Sequence, residues 1–272
     1  MNRVDEHPVT AGPLAPRWLA WSLDPARAGV TATARVSLQN AGTATWRSHG
    51  ENGVQASFHW LDPLGNPIVW DGPRTPLPHE VAPGEQVELQ FDVTAPRPPG
   101  DYRLAFDLVE EHRFWFAEVG ATPLEVDVTV APRIAARTLA VRVHGGADPA
   151  TTAALAAQEE PTVEDGAEAV AHLVAGATPP PSWSRLLLDT HAEGWVAVGT
   201  AVAPSDRDRE LGPWRGGGGR NPRLGRPLLL PSLLDGIEPS EHLGLPAYEG
   251  DDGIFDGRVA VILPRRSGRR RS

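Results

Sequence analysis

Between residues 30 and 130, apolar and polar side chains alternate one for one in four separate runs. That period of two commits this part of the chain to β-strands with one buried and one wet face. In residues 30–40, Val30, Ala32, Ala34, Val36 and Leu38 share one face and Thr31, Thr33, Arg35, Ser37 and Gln39 the other. Val54, Ala56, Phe58 and Trp60 alternate with Gln55, Ser57 and His59. Val87, Leu89, Phe91 and Val93 alternate with Glu88, Gln90 and Asp92, and Leu124, Val126, Val128 and Val130 with Glu125, Asp127 and Thr129.

Residues 102–120, YRLAFDLVEEHRFWFAEVG, add two apolar-rich runs joined by Glu110-Glu111-His112-Arg113, the layout of a hairpin. Residues 17–23 and 68–70 supply two more short strands, with Trp18 and Trp21 expected on opposite faces of the first. Asp24-Pro25, Asn40-Ala41-Gly42 and residues 62–67 are turns, and the proline-rich residues 71–84, unable to donate to a ladder, predict an irregular crossing between sheets. About seven or eight short strands with almost no helical period predict an all-β immunoglobulin-like sandwich over residues 17–131, after a flexible N-terminus at residues 1–16. The chain has no cysteine, so no disulfide pins the sheets and buried tryptophans must supply the packing.

The second half reads differently. After the linker Ala131-Pro132-Arg133, residues 138–143 form a strand running into Gly145-Gly146; Asp148 caps an alanine-rich helix with Pro149 in its first turn. Residues 169–174 are a second strand, 179–191 a helix with Trp183, Leu186 and Leu187 facing inward, and 195–202 a third strand. Together they predict a small, incomplete α/β domain over residues 132–263, followed by an Arg-rich disordered tail at residues 264–272.

Composition excludes whole classes of chemistry. All 25 basic residues are arginine, and without lysine there is no P-loop phosphate ligand and no Schiff base. Without cysteine there is no thiol nucleophile and no thiolate-held zinc. The nine histidines show no HExxH spacing, and no GxSxG nucleophile elbow is present. Residues 1–130 carry 17 acids against 9 arginines, which argues against general nucleic-acid binding. There is no run of ~20 apolar residues and no apolar leader core, so a cytoplasmic chain without a transmembrane segment is expected.

Candidate ligand groups are scattered. Trp46, Trp60, Trp70 and Trp115 are either a sugar-stacking platform or core, and strand phase favours core for Trp60. One of Trp18 and Trp21 is expected to make an exposed ligand contact. Arg215, Arg220 and Arg223 bracket or follow the glycine run at residues 216–219 and could wrap a diphosphate. Asp206 and Asp208 form a literal Asp-x-Asp, a candidate divalent-metal site, while Asp251 and Asp252 sit in an acidic cluster as a candidate catalytic base.

Two resemblances add to this reading. Asn40-Ala41-Gly42 with Thr45-Trp46, Val81-Ala82-Pro83-Gly84-Glu85, Ala95-Pro96 with Pro99-Gly100-Asp101-Tyr102, and Phe114-Trp115-Phe116 together resemble the bacterial Ig-like four-tryptophan domain over residues 18–130. That resemblance implies a noncatalytic binding module. Residues 173–183, LVAGATPPPSW, resemble the metal-binding frame of family 2 glycosyltransferases of GT-A fold, with the two metal aspartates replaced by Val174 and Gly176. That implies a degenerate relative that holds no cofactor. The function implied is a binding or adaptor protein of bacterial surface-glycan biosynthesis, with a glycan or a glycan-synthesis protein as partner. The alternatives are a glycosyltransferase using a divalent metal with a nucleotide sugar, and a structural protein-interaction adaptor.

Overall fold

The computed structural model describes residues 1–5, 7–50, 52–200, 229–234 and 259–262. The fold is mostly β, with two α-helices among the described residues, and the chain divides into two compact units, Met1–Pro132 and Arg133–Ser272.

In the first unit, β1 (Asn2–Arg3), β2 (Pro16–Leu23), β3 (Thr31–Asn40) and β7 (Gln86–Thr94) form one antiparallel sheet in the order β1-β2-β3-β7. A second sheet has the order β10-β8-β4-β5, from β4 (Val54–Leu61), β5 (Pro67–Val69), β8 (Gly100–Glu110) and β10 (Leu124–Val130). The short strands β6 (Thr75–Pro76) and β9 (Phe114–Trp115) attach to β4 and β8. The expected alternation is what closes the two sheets on each other. Ala34, Val36, Leu38, Leu89 and Phe91 of the first sheet and Phe58, Trp60, Leu104 and Phe106 of the second are buried in one shared hydrophobic core.

Two tryptophans cross between the sheets. Trp60 on β4 donates its indole N–H to the Thr94 carbonyl at the end of β7, 3.0 Å away. Trp18 on β2 donates to the Thr122 carbonyl just before β10, at 2.9 Å. Each buries a large apolar ring and also satisfies its polar atom on the opposite sheet, which is how buried indoles avoid a desolvation penalty.

Three expectations change. Trp18 and Trp21 do not point to opposite faces. The β2–β3 register shifts between Trp18 and Ala20, so Trp18 lies opposite Leu38 and Trp21 opposite Val36, both core positions. A bulge at Leu19 restores both rings to the same side. The second arm of the 102–120 hairpin is mostly not a strand. Only Phe114–Trp115 pairs with β8, and Phe116–Val119 winds into a 3-10 helix ended by Gly120 in the left-handed region (φ 97°). Residues 1–16, expected as a flexible lead-in, are held at several points, including His7 Nε2 on the Pro123 carbonyl and Thr10 Oγ1 on the Gly120 carbonyl.

The second unit opens with β11 (Leu139–His144), α1 (Pro149–Ala156) and β12 (Ala169–Val174), and β11 and β12 pair in parallel. Asp148 caps α1 through the Thr151 amide, and Pro149 starts the helix, where a missing N–H costs nothing. The unit continues with α2 (Trp183–Ala192), β13 (Ala197–Thr200), β14 (Leu229–Leu234) and β15 (Val259–Ile262), giving a sheet of order β11-β12-β14-β13-β15 in which β14 runs antiparallel to its neighbours. On α2, Trp183, Leu187 and Leu188 are buried, and Leu186 is only half buried.

Candidate functional site

Two of the three polar positions of β4 that the alternation assigns to water are in fact covered. Ser57 and His59 are 0% and 4% exposed, because the chain folds back over them after β5. The return is pinned at Gly72, whose N–H bonds the Phe58 carbonyl at 3.2 Å and whose carbonyl accepts from Ser57 Oγ at 2.8 Å. A Cβ at residue 72 would sit 2.5 Å from the Phe58 oxygen, so the close approach requires glycine.

This return places Trp70 flat against His59, ring centroids 4.2 Å apart at 21°. The Trp115 ring meets His59 edge-on at 4.4 Å and Trp70 at 6.3 Å. His59 Nδ1 faces the Trp70 carbonyl, which can only accept, so Nδ1 carries the proton. Burial holds the His59 imidazole below its ordinary pKa, against the opposing pull of that hydrogen bond. Arg74 completes the group. Its guanidinium lies 4.8 Å from the Trp115 ring centroid, pairs with Glu111, and reaches Asp71 Oδ1 at 2.6 Å and the Gly72 carbonyl at 3.1 Å.

Of the four tryptophans considered as a sugar platform, Trp46 and Trp60 are fully buried and Trp115 is 9% exposed, whereas Trp70 is 50% exposed. One face of the Trp70 ring is taken by His59, which leaves the other toward solvent. Leu64, Ile68 and Val69 on the same hairpin are also exposed.

Asp107, on the outer face of β8 opposite Ser57, is 1% exposed. Its carboxyl accepts from the Leu108 amide at 2.8 Å and the Ala117 amide at 3.2 Å, tying β8 to the 3-10 helix. Burial, with a smaller push from the Glu118 charge, raises its pKa to about 7.

The other sequence-derived candidates separate from this group. Trp18 is 1% exposed, and Trp21 is partly buried against the core. Asp206, Asp208, Arg215, Arg220, Arg223, Asp251 and Asp252 lie outside the described residues. Where the glycosyltransferase-like frame would carry its aspartates, β12 ends at Val174 and Gly176 follows in the left-handed region (φ 93°), its N–H donated to Thr151 Oγ1 at 2.9 Å. Among the described residues no group of three or more His, Cys, Asp or Glu could hold a metal ion. The sequence points to the outer face around Arg103, Asp107 and the Glu110–Arg113 turn, but not to His59, Asp71 or Arg74. Their assembly depends on a loop returning over β4, and the local signal was only the Trp70-Asp71-Gly72-Pro73-Arg74 string that leaves β5.

No family model matches the chain, and no curated protein matches it. Among the helices of the described residues, none is long and apolar enough to cross a membrane. Among solved structures, the chain is similar to the C-terminal domain of wzt, at 11% identity and a TM-score of 0.32, with 49% of this chain and 82% of that one covered. It is also similar to a family 123 glycoside hydrolase from Clostridium perfringens, at 11% identity and a TM-score of 0.24, with 43% of this chain and 24% of that one covered, so it spans about a quarter of that enzyme.

Proposed function

We propose that the chain is a noncatalytic binding protein of bacterial surface-glycan assembly. In this reading its first unit is an Ig-like sandwich of the four-tryptophan type that presents Trp70 to a sugar ring. The observation that carries the reading is the construction around Trp70: an indole half open to solvent, backed by stacking on His59 and wedged by Trp115. A ring fixed on one face loses little freedom when a ligand covers the other, and the apolar C–H face of a pyranose fits such a surface. Asp71 and Arg74 beside it offer an acceptor and donors for sugar hydroxyls.

The second unit is proposed as a degenerate relative of GT-A glycosyltransferases. The support is the parallel β11-α1-β12 start and the two lost aspartates, since neither valine nor glycine supplies the side-chain oxygens a hard divalent cation takes. Calorimetric titration of the full chain with surface-type oligosaccharides, and separately with nucleotide sugars plus Mg²⁺ or Mn²⁺, tests both parts. Binding of an oligosaccharide that Trp70→Ala removes supports the reading. Metal-dependent binding of a nucleotide sugar with turnover contradicts the noncatalytic assignment.

A further inference from the structure

β10 ends its sheet with one side open. Just past the strand, Ala131 bonds away from β8: its N–H donates to the Ala26 carbonyl and its carbonyl accepts from the Ala28 amide, both at 2.9 Å. Backbone groups along a strand alternate sides with a period of two, so Thr129, Asp127 and Glu125 turn their N–H and C=O groups to that same side. The far side of the sheet gives the same phase. The Phe58 carbonyl takes the Gly72 N–H away from β8, which leaves Phe106, opposite Phe58, bonding toward Leu124 of β10. Among the described residues nothing pairs with the three N–H and three C=O groups of Glu125, Asp127 and Thr129. The other edges are less open. β5 carries Pro67 and a register shift against β4, β1 has two residues, and β7 is overhung at Gln90 and Asp92 by residues 73–76, which line one cleft with them.

The side chains along this edge define its occupant. Glu125, Asp127 and Thr129 stand on the outer face, and Leu124, Val126 and Val128 face the core. Arg103 reaches Glu125 Oε2 at 3.1 Å and Asp127 Oδ1 at 3.5 Å from the β8 side, Asp101 there accepts from the Thr129 hydroxyl at 2.7 Å, and Arg27 stands at the far end on the Pro132 carbonyl. Asp127 nonetheless keeps its side chain 91% exposed. Two β10 edges joined about their middle would set Asp127 against Asp127, or Glu125 against Asp127, and like charges directly opposite destabilise a pair. We infer that the β10 edge docks an extended segment of a partner protein, which joins the sheet as an added strand with basic side chains beside Glu125 and Asp127 and apolar ones beside Val126 and Val128. The contact lies at the opposite end of the sheet from β5 and is independent of the glycan reading.

The test follows β10 amides by NMR-detected hydrogen exchange in the full chain, with and without a capped peptide of alternating arginine and valine about as long as β10. In the free chain the amides of Glu125, Asp127 and Thr129 should exchange at least about tenfold faster than those of Val126 and Val128. Saturating peptide should slow those three by about tenfold or more and leave Val126 and Val128 unchanged. A peptide with glutamate in place of arginine should bind about tenfold more weakly, a gap that narrows as salt is raised and in Asp127→Asn. Methylating alternate peptide amides should abolish binding in one phase and spare it in the other, because only one set of N–H groups faces β10. Protection of the three amides in the free chain means that the edge is already taken, by a second copy if sedimentation shows a dimer, and overturns the inference. Equal binding of the arginine and glutamate peptides, binding of neither, or indifference to the phase of methylation also overturns it.

Discussion

Replacing Asp107 with asparagine separates the cost of a buried charge from the value of its hydrogen bonds. Burial raises the Asp107 carboxyl from 3.8 to about 7, so the folded state holds a proton that the unfolded state releases between those values. The sign follows from linkage: stability from this group is complete below pH 3.8 and is lost as pH rises through 7. About three pH units at roughly 1.4 kcal/mol each place the loss near 4 kcal/mol by pH 8. Asparagine is neutral throughout, but its NH₂ replaces one of the two oxygens that accept from Leu108 and Ala117, a loss of about 1–2 kcal/mol. Asp107→Asn should thus be less stable than wild type near pH 4 and more stable by about 2 kcal/mol at pH 8, with the curves crossing in between. Urea unfolding at a series of pH values, read by hydrogen exchange of the β8 amides, reports on this unit. Parallel curves from pH 4 to 8 would refute the claim that Asp107 is held neutral by burial.

The second unit should respond to pH in the opposite direction. His191 is fully buried between the Trp195 carbonyl and Ser232 Oγ, and burial pushes its pKa down to about 4. Its contribution is present above about pH 6.5 and lost as pH falls toward 4, up to about 3 kcal/mol, and an NMR titration should show its ring protonating only below pH 5. Trp60→Phe keeps an aromatic ring but strands the Thr94 carbonyl, and should cost about 1–3 kcal/mol by urea denaturation. Gly72→Ala forces the returning loop off the Phe58 carbonyl; it should cost about 1–3 kcal/mol and increase proteolysis between residues 70 and 76.

How much of this was legible depends on whether the cause was local. The runs containing Val36 and Leu89 declare their buried faces by spacing alone, and β3 and β7 sit where that spacing puts them. The inward turn of Trp21 was not legible, because a bulge at Leu19 shifts the phase without leaving a turn residue behind. Residues 114–116 form a strand-like aromatic run, yet Glu118 caps the Trp115 amide and Asp107 holds the Ala117 amide, a contact ten residues away that selects the 3-10 helix over residues 116–119. His59 looked wet from its alternation with Phe58 and Trp60 and is buried by Trp70, Gly72 and Trp115 from outside β4. Trp70 itself was one of four candidates in the sequence, of which strand phase set apart only Trp60; burial is what distinguishes it from Trp46 and Trp115.

The account turns on Trp70 as the contact surface. Wild type, Trp70→Ala and Trp60→Phe compared on one array of surface-type oligosaccharides test it most directly. The account predicts that wild type and Trp60→Phe retain the same ligands while Trp70→Ala loses them by about tenfold or more. Retention of every ligand by a folded Trp70→Ala variant would contradict it.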